Sequence, residues 1–123
     1  MPPRSQLYVL TKLWIELTRE MSRVHAPHLE SRFGADASDT LICAAVYLGM
    51  IENRPMNASK LADYVGVPRS TVQRRLEELE HIGQVERRGM TWRTRLGALA
   101  EAEQHDLASI ADMIKNILGG IDG

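Results

Sequence analysis

With 123 residues, 44% hydrophobic side chains and a formal net charge of −1, the chain has the size and balance of one ordinary domain. Only 5% of its side chains are aromatic, so the core is expected to be aliphatic with methionine filling gaps. No apolar run is long enough to span a bilayer, no signal-peptide pattern is read at the start, and the single Cys43 excludes an internal disulfide framework and suits a reducing cytoplasm.

After Met1-Pro2-Pro3, the residues Leu7, Leu10, Trp14, Leu17, Met21 and Val24 recur at alternating spacings of three and four. That heptad stripe predicts a long helix pairing with other helices, ended or kinked at Pro27. Residues 31–38 read as a connection. Ser38 or Asp39 caps a second helix. Its Leu41, Ile42, Ala44, Ala45, Val46, Leu48, Met50 and Ile51 are apolar nearly all round, as for a central buried helix. Asn53-Arg54-Pro55 stops it.

Asn57 caps a short third helix carrying Leu61, Ala62 and Val65, and Gly66 ends it. A fourth helix follows the Val67-Pro68 turn, with Val72, Leu76, Leu79 and Ile82 facing inward and Gly83 just past its end. Gln84–Arg88 and Thr91–Arg95 alternate as two strands around Gly89-Met90, a pair suited to a tight hairpin. From Leu96 a last helix is expected, on which Leu107, Ile110, Ile114, Ile117 and Ile121 form a second heptad stripe. Gly119, Gly120 and Gly123 predict a frayed end.

The charge is unevenly distributed. Residues 1–68 carry seven basic and seven acidic side chains, net 0. Residues 69–95 carry seven arginines against four glutamates, net +3. Residues 96–123 carry Lys115 against five acids, net −4. A local arginine patch on a near-neutral protein points to nucleic acid, because the guanidinium fork suits phosphate and guanine.

The pattern over 57–95 is that of a helix-turn-helix followed by a basic hairpin. Ala62 is small where the two helices cross, Gly66 makes the turn, and Val72 locks the angle. The fourth helix then exposes Arg69, Ser70, Thr71, Gln73, Arg74, Arg75, Glu77 and Glu78. Its polar, positive start fits a groove-binding helix. Gln73 is suited to adenine, and Arg69 or Arg74 to guanine or phosphate. Ser70 and Thr71 suit a phosphate, and Lys60 can hold the backbone from the preceding helix. Arg87, Arg88, Arg93 and Arg95 surround the hairpin tip, placed to follow phosphates or enter the minor groove.

The segments SKLADYVGVPRSTVQRRLEELEHIGQVERR and RTRLGALA resemble the winged helix-turn-helix regulators of bacteria, most closely the MarR family. The detailed match covers about 45 residues, and the flanking long helices fit the family's plan. The resemblance implies a mainly α fold with a small β-hairpin and a homodimer on a two-fold-symmetric operator, usually as a repressor. It assigns Arg69 to Arg74 to the recognition helix and Arg87, Arg88 and Arg93 to the wing. A small-molecule effector is expected near Trp14, Tyr47 or His25. The wing is shorter than is common in that family, and Pro68 stands where Ser or Thr often caps the recognition helix.

The domain reading is a single winged-helix domain over 1–123, with dimerisation helices at 4–30 and 97–121 and a DNA-binding lobe at 39–95. The dimer contacts are Leu7, Leu10, Trp14, Leu17, Met21, Ile110, Ile114 and Ile117. The competing reading is a winged-helix module that dimerises and docks another protein without touching DNA. Cys43 reads as a small core residue, and Trp92 either packs the hairpin onto the body or stacks on a sugar or base. His25, His28 and Glu30 do not have a recognised metal-ligand spacing. No phosphate-cradling glycine loop, nucleophile elbow or metal cluster is present, so neither an enzyme nor a cofactor is expected.

Overall fold

A computed structural model describes residues 5–25 and 36–119. Its elements are α1 (Gln6–His25), α2 (Asp36–Ile51), α3 (Ala58–Val65), α4 (Arg69–His81), β1 (Val85–Arg88), β2 (Thr91–Thr94), α5 (Leu96–Glu103) and α6 (Leu107–Leu118). The fold is the expected one: mostly helical, with a two-stranded antiparallel hairpin, arranged as a winged helix-turn-helix. Pro27, His28, Glu30 and Ile121 lie outside the described residues.

Local chemistry sets the element ends. The Asn57 side chain accepts the Lys60 N–H at 2.9 Å and starts α3. Gly66, at φ 74°, ends it in the left-handed conformation, its N–H donating to the Ala62 carbonyl at 2.9 Å. Asn53, at φ 58°, turns the chain out of α2, and the Arg54 N–H reaches back to the Gly49 carbonyl at 2.7 Å. Gly89 has φ 62° while Met90 is not at positive φ, which is the two-residue hairpin turn that starts on glycine.

The main core joins Ile42, Cys43, Ala45 and Val46 of α2 to Leu61 and Ala62 of α3, Val72, Leu76 and Leu79 of α4, Val85 of β1 and Trp92 of β2. Helix α2 is thus the axis on which the recognition unit and the hairpin are mounted. The Trp92 main-chain N–H donates to the Met56 carbonyl at 3.0 Å, tying β2 to the α2–α3 linker. Gly49 lies against that linker. A β-carbon there would stand 2.9 Å from the Arg54 carbonyl oxygen and 3.3 Å from Met56 Cε. Backbone held by the Gly49–Arg54 bond does not give way easily. Gly49→Ala is therefore expected to lose about 1–3 kcal/mol to overpacking, only partly offset by a helix-propensity gain of about 1 kcal/mol. Urea unfolding would show a lower midpoint at unchanged m-value.

Several expectations are corrected. Helix α2 starts at Asp36, so residues 36–38 are helix rather than connection, and Ser38 and Asp39 sit inside the first turn. Asp39 is buried, and its Oδ1 lies 3.7 Å from Arg75 Nε on α4. An acid that pairs inside the fold need not serve as a cap. Nor is α2 buried all round: Leu41, Leu48 and Ile51 are exposed, and with half-buried Ala44 they form one stripe. Ile82 is exposed beyond the end of α4. Met90, at 82% exposure on the hairpin tip, is not a core gap-filler.

The final helix is two. Helix α5 stops at Glu103, and Asp106 starts α6 by accepting the Ser109 N–H at 3.1 Å. On α1 the predicted stripe splits. Leu7, Leu10 and Trp14 are exposed, Leu17 and Met21 are half-buried, and Val24 is buried, while Val9 is buried outside the stripe. A strict seven-residue spacing drifts by about 20° per heptad on a straight helix, so one stripe need not keep one face. Ile110 of α6 is buried within the chain, where α6 packs on α1, and Ile114 and Ile117 are half-buried.

The end of α1 meets the root of the hairpin. The Gln84 side-chain amide donates to the His25 carbonyl at 2.7 Å, and the His25 ring lies 5.4 Å from that of Tyr47. Burial, and then the charge of His105, lower the His25 pKa from its ordinary 6.5. The unfolded chain therefore binds this proton more readily. The sign is that stability rises with pH across the interval between the two pKa values, and is lost as pH falls through 6.5. Thermal unfolding between pH 7.5 and 5.5 should show that decline, and His25→Asn should flatten it.

Candidate nucleic-acid interface

The recognition unit is α3, the Gly66–Pro68 turn and α4. Val72, Leu76 and Leu79 bury one side of α4. The other side carries the remaining polar residues. Arg69, Ser70 and Arg74 are exposed, whereas Thr71 and Gln73 are half-buried. Lys60 is exposed on α3. Pro68 is the N-cap residue of α4 and offers no side-chain acceptor, so it caps none of the first-turn N–H groups of α4.

Two residues read as exposed are otherwise engaged. Arg75 is largely covered, paired with Asp39 at 3.7 Å and with Glu78 at 3.4 Å, so it anchors α4 to α2. The Gln73 amide nitrogen donates to Glu77 at 3.1 Å. That bond must open before the amide can offer both its groups to a base.

Strand register divides the wing arginines. The pairs are Val85 with Thr94, Glu86 with Arg93, Arg87 with Trp92 and Arg88 with Thr91. Paired residues share a face. One face is therefore Val85, Arg87, Trp92 and Thr94, and it turns inward, since Val85 and Trp92 are both 2% exposed. The other is Glu86, Arg88, Thr91 and Arg93. On the inner face the Arg87 guanidinium carbon sits 4.7 Å from the Trp92 ring centroid, a cation–π arrangement. On the outer face Arg88 pairs with Glu86 at 3.4 Å. Arg93 is half-buried there. Arg95 lies past the end of β2, at the hairpin root rather than its tip, with its guanidinium close to Gly83.

The inner wing face and α4 enclose a cleft of about 160 Å³, bordered by Ser59, Arg69, Gln73, Arg87, Met90 and Trp92, with Asn57, Ala58 and Gly89 completing it. No acidic residue borders it. Among the described residues, neither Arg69 nor Arg87 has a carboxylate partner, unlike Arg23, Arg75 and Arg88. The acids of α5 and α6 lie elsewhere. Nothing in the local sequence marks Ser59: it borders the cleft because α3 presents its first turn to the wing.

The other candidate residues fall outside the cleft. Trp14 is exposed on α1, while His25, Cys43 and Tyr47 border a cavity of only about 10 Å³, against about 300–1,000 Å³ for ordinary small-molecule sites. The Cys43 thiol is pushed up to about 12 by burial and then by the charge of Asp39, so it holds almost no thiolate near neutrality. Among the described residues no three metal-ligating side chains come together, and no helix is long and apolar enough to cross a membrane.

The family model of the sugar-specific transcriptional regulator TrmB matches residues 43–102, from the middle of α2 through α5. The match covers the helix-turn-helix and the wing, and supports a winged-helix, DNA-binding transcriptional regulator. No curated protein and no solved structure matches the chain.

Proposed function

We propose that the chain is a sequence-specific regulator of transcription that binds duplex DNA as a cytoplasmic homodimer, acting as a repressor on a two-fold-symmetric operator. The observation that carries this reading is the convergence of Arg69, Gln73 and Arg87 on one acid-free cleft beside the start of α4. Helix α4 enters the major groove by its N-terminal half, where Arg69, Ser70, Thr71, Gln73 and Arg74 lie. Lys60 and the wing residues Arg87, Arg88 and Arg93 hold the flanking backbone.

The dimer is supported by apolar surface that the chain leaves uncovered: Leu7 at 75% exposure, Leu10 and Trp14 on α1, and the uncharged Leu41, Leu48 and Ile51 stripe on α2. A second copy covers such surface most economically across a two-fold axis, which also gives one short reading helix a partner. Helices α1 and α6, outside the family match, lie in the segments that the MarR-like plan assigns to dimerisation. Among the described cavities, room for an effector is found in the open groove of about 510 Å³ between α1 and α6. Its Lys12, Glu16, Ser109, Asp112 and Asn116 offer donors and acceptors suited to a polyhydroxyl molecule, in keeping with the sugar specificity of the matched family.

Selection of bound sequences from a random duplex pool tests the reading. The expected result is a two-fold-symmetric consensus with half-site centres about one helical turn, or a multiple of it, apart. Recovery of no enriched sequence would sink it.

A further inference from the structure

The cleft between wing and α4 has a size that decides what it takes. At about 160 Å³ it is well below the about 300 Å³ at which drug-sized ligands begin. That is room for a compact group rather than a drug-sized ligand. Its chemistry is anion-binding. Arg69 of α4 and Arg87 of β1 both border the cleft, and neither is neutralised by a carboxylate among the described residues. Ser59 adds a hydroxyl and Gln73 an amide. The buried Trp92 also borders it, with Arg87 held over its ring at 4.7 Å. A guanidinium so held loses less side-chain freedom when it binds, and its fork matches two oxygens of one phosphate.

We propose that this cleft is a seat for a single phosphate group, filled by a backbone phosphodiester when duplex DNA is bound and by a free phosphate monoester when it is not. The first occupant rests on the DNA-binding reading above; the second does not. Small phosphate monoesters then compete with DNA for the same two arginines, which makes occupancy of the operator sensitive to them.

The test uses the full chain, with the side-chain N–H signals of Arg87 and Trp92 followed by NMR. Trp14, exposed on α1, is an internal reference. Inorganic phosphate and methyl phosphate are titrated against chloride at constant ionic strength. Saturable shifts are expected at Trp92 and Arg87 with none at Trp14. Arg69→Ala or Arg87→Ala should weaken binding at least fivefold, and Lys115→Ala, which removes the same charge from α6, should leave it unchanged. Both arginines are exposed, so the variants keep the core. Shifts no larger than those given by chloride, or shifts undiminished in either arginine variant, would overturn the seat. A duplex competition separates the two occupants. Methyl phosphate should displace DNA from the wild type and lose that effect in Arg87→Ala. Phosphate binding without displacement overturns the phosphodiester occupant. Absence of any duplex binding by the wild type overturns the DNA reading, and the titration alone then decides the monoester.

Discussion

Replacing Arg87 with alanine is expected to weaken duplex binding about 10- to 100-fold, corresponding to loss of a charge-assisted hydrogen bond of about 1.5–3 kcal/mol. Arg88→Ala and Arg93→Ala should each cost clearly less. All three arginines lie within seven residues and carry the same charge, so net electrostatics alone would rank them together. The hairpin separates them. Arg87 shares the inner face with Trp92 and borders the cleft with Arg69. Arg88 is on the outer face, already paired with Glu86 at 3.4 Å. Arg93 shares that face, opposite Glu86. Fluorescence anisotropy at several salt concentrations would check this. The Arg87 variant should also lower the salt slope by about one unit, as expected for one lost phosphate contact. Equal losses for the three variants would mean that wing charge, rather than the cleft, holds the DNA.

Trp92→Ala is expected to destabilise the fold by about 3–5 kcal/mol. Folded domains of this kind have total stabilities of about 5–15 kcal/mol, so this one change removes a large share. The ring is 2% exposed and packs in the cluster that joins α2, α3, α4 and β1. It therefore fastens the wing to the body and is too covered to stack on a base. Its loss also takes away the surface over which Arg87 is held. Trp92→Phe should recover part of the stability, because a smaller ring still fills most of the volume. Chemical denaturation would read both variants. A loss below about 1 kcal/mol for Trp92→Ala would show that the wing is attached by other means.

Much of this architecture is legible in the residues. Asn57, Gly66 and Gly89 each impose a local geometry that few other residues supply, so the ends of α3 and the hairpin turn follow from composition. Val72, Leu76 and Leu79 likewise mark the buried side of α4 by spacing alone. Long-range pairing is what sequence spacing does not express. Asp39 looks like a helix cap until α4 brings Arg75 to 3.7 Å from it. Arg75 in turn looks like an exposed side chain of α4 until that carboxylate claims it. The α1 stripe keeps its spacing yet changes face, and the break before Asp106 is a single cap inside a pattern of otherwise helical residues. For the candidate interface, the arginine block at 69–95 is visible at once. The division between Arg87 and its neighbours was already implicit in the alternation of a strand, but it takes the register with Trp92 to say which side is inward.

In the proposed function, α4 and the inner wing face bind the backbone of duplex DNA. The measurement that tests it most directly is the salt dependence of binding by the wild-type chain to a mixed-sequence duplex. Binding is expected at low salt, with log K falling linearly against log salt and a slope of about −0.9 for each phosphate neutralised. A homogeneous, folded protein that shows no salt-sensitive duplex binding, even non-specifically at low ionic strength, would contradict it and leave a winged-helix module that docks protein instead.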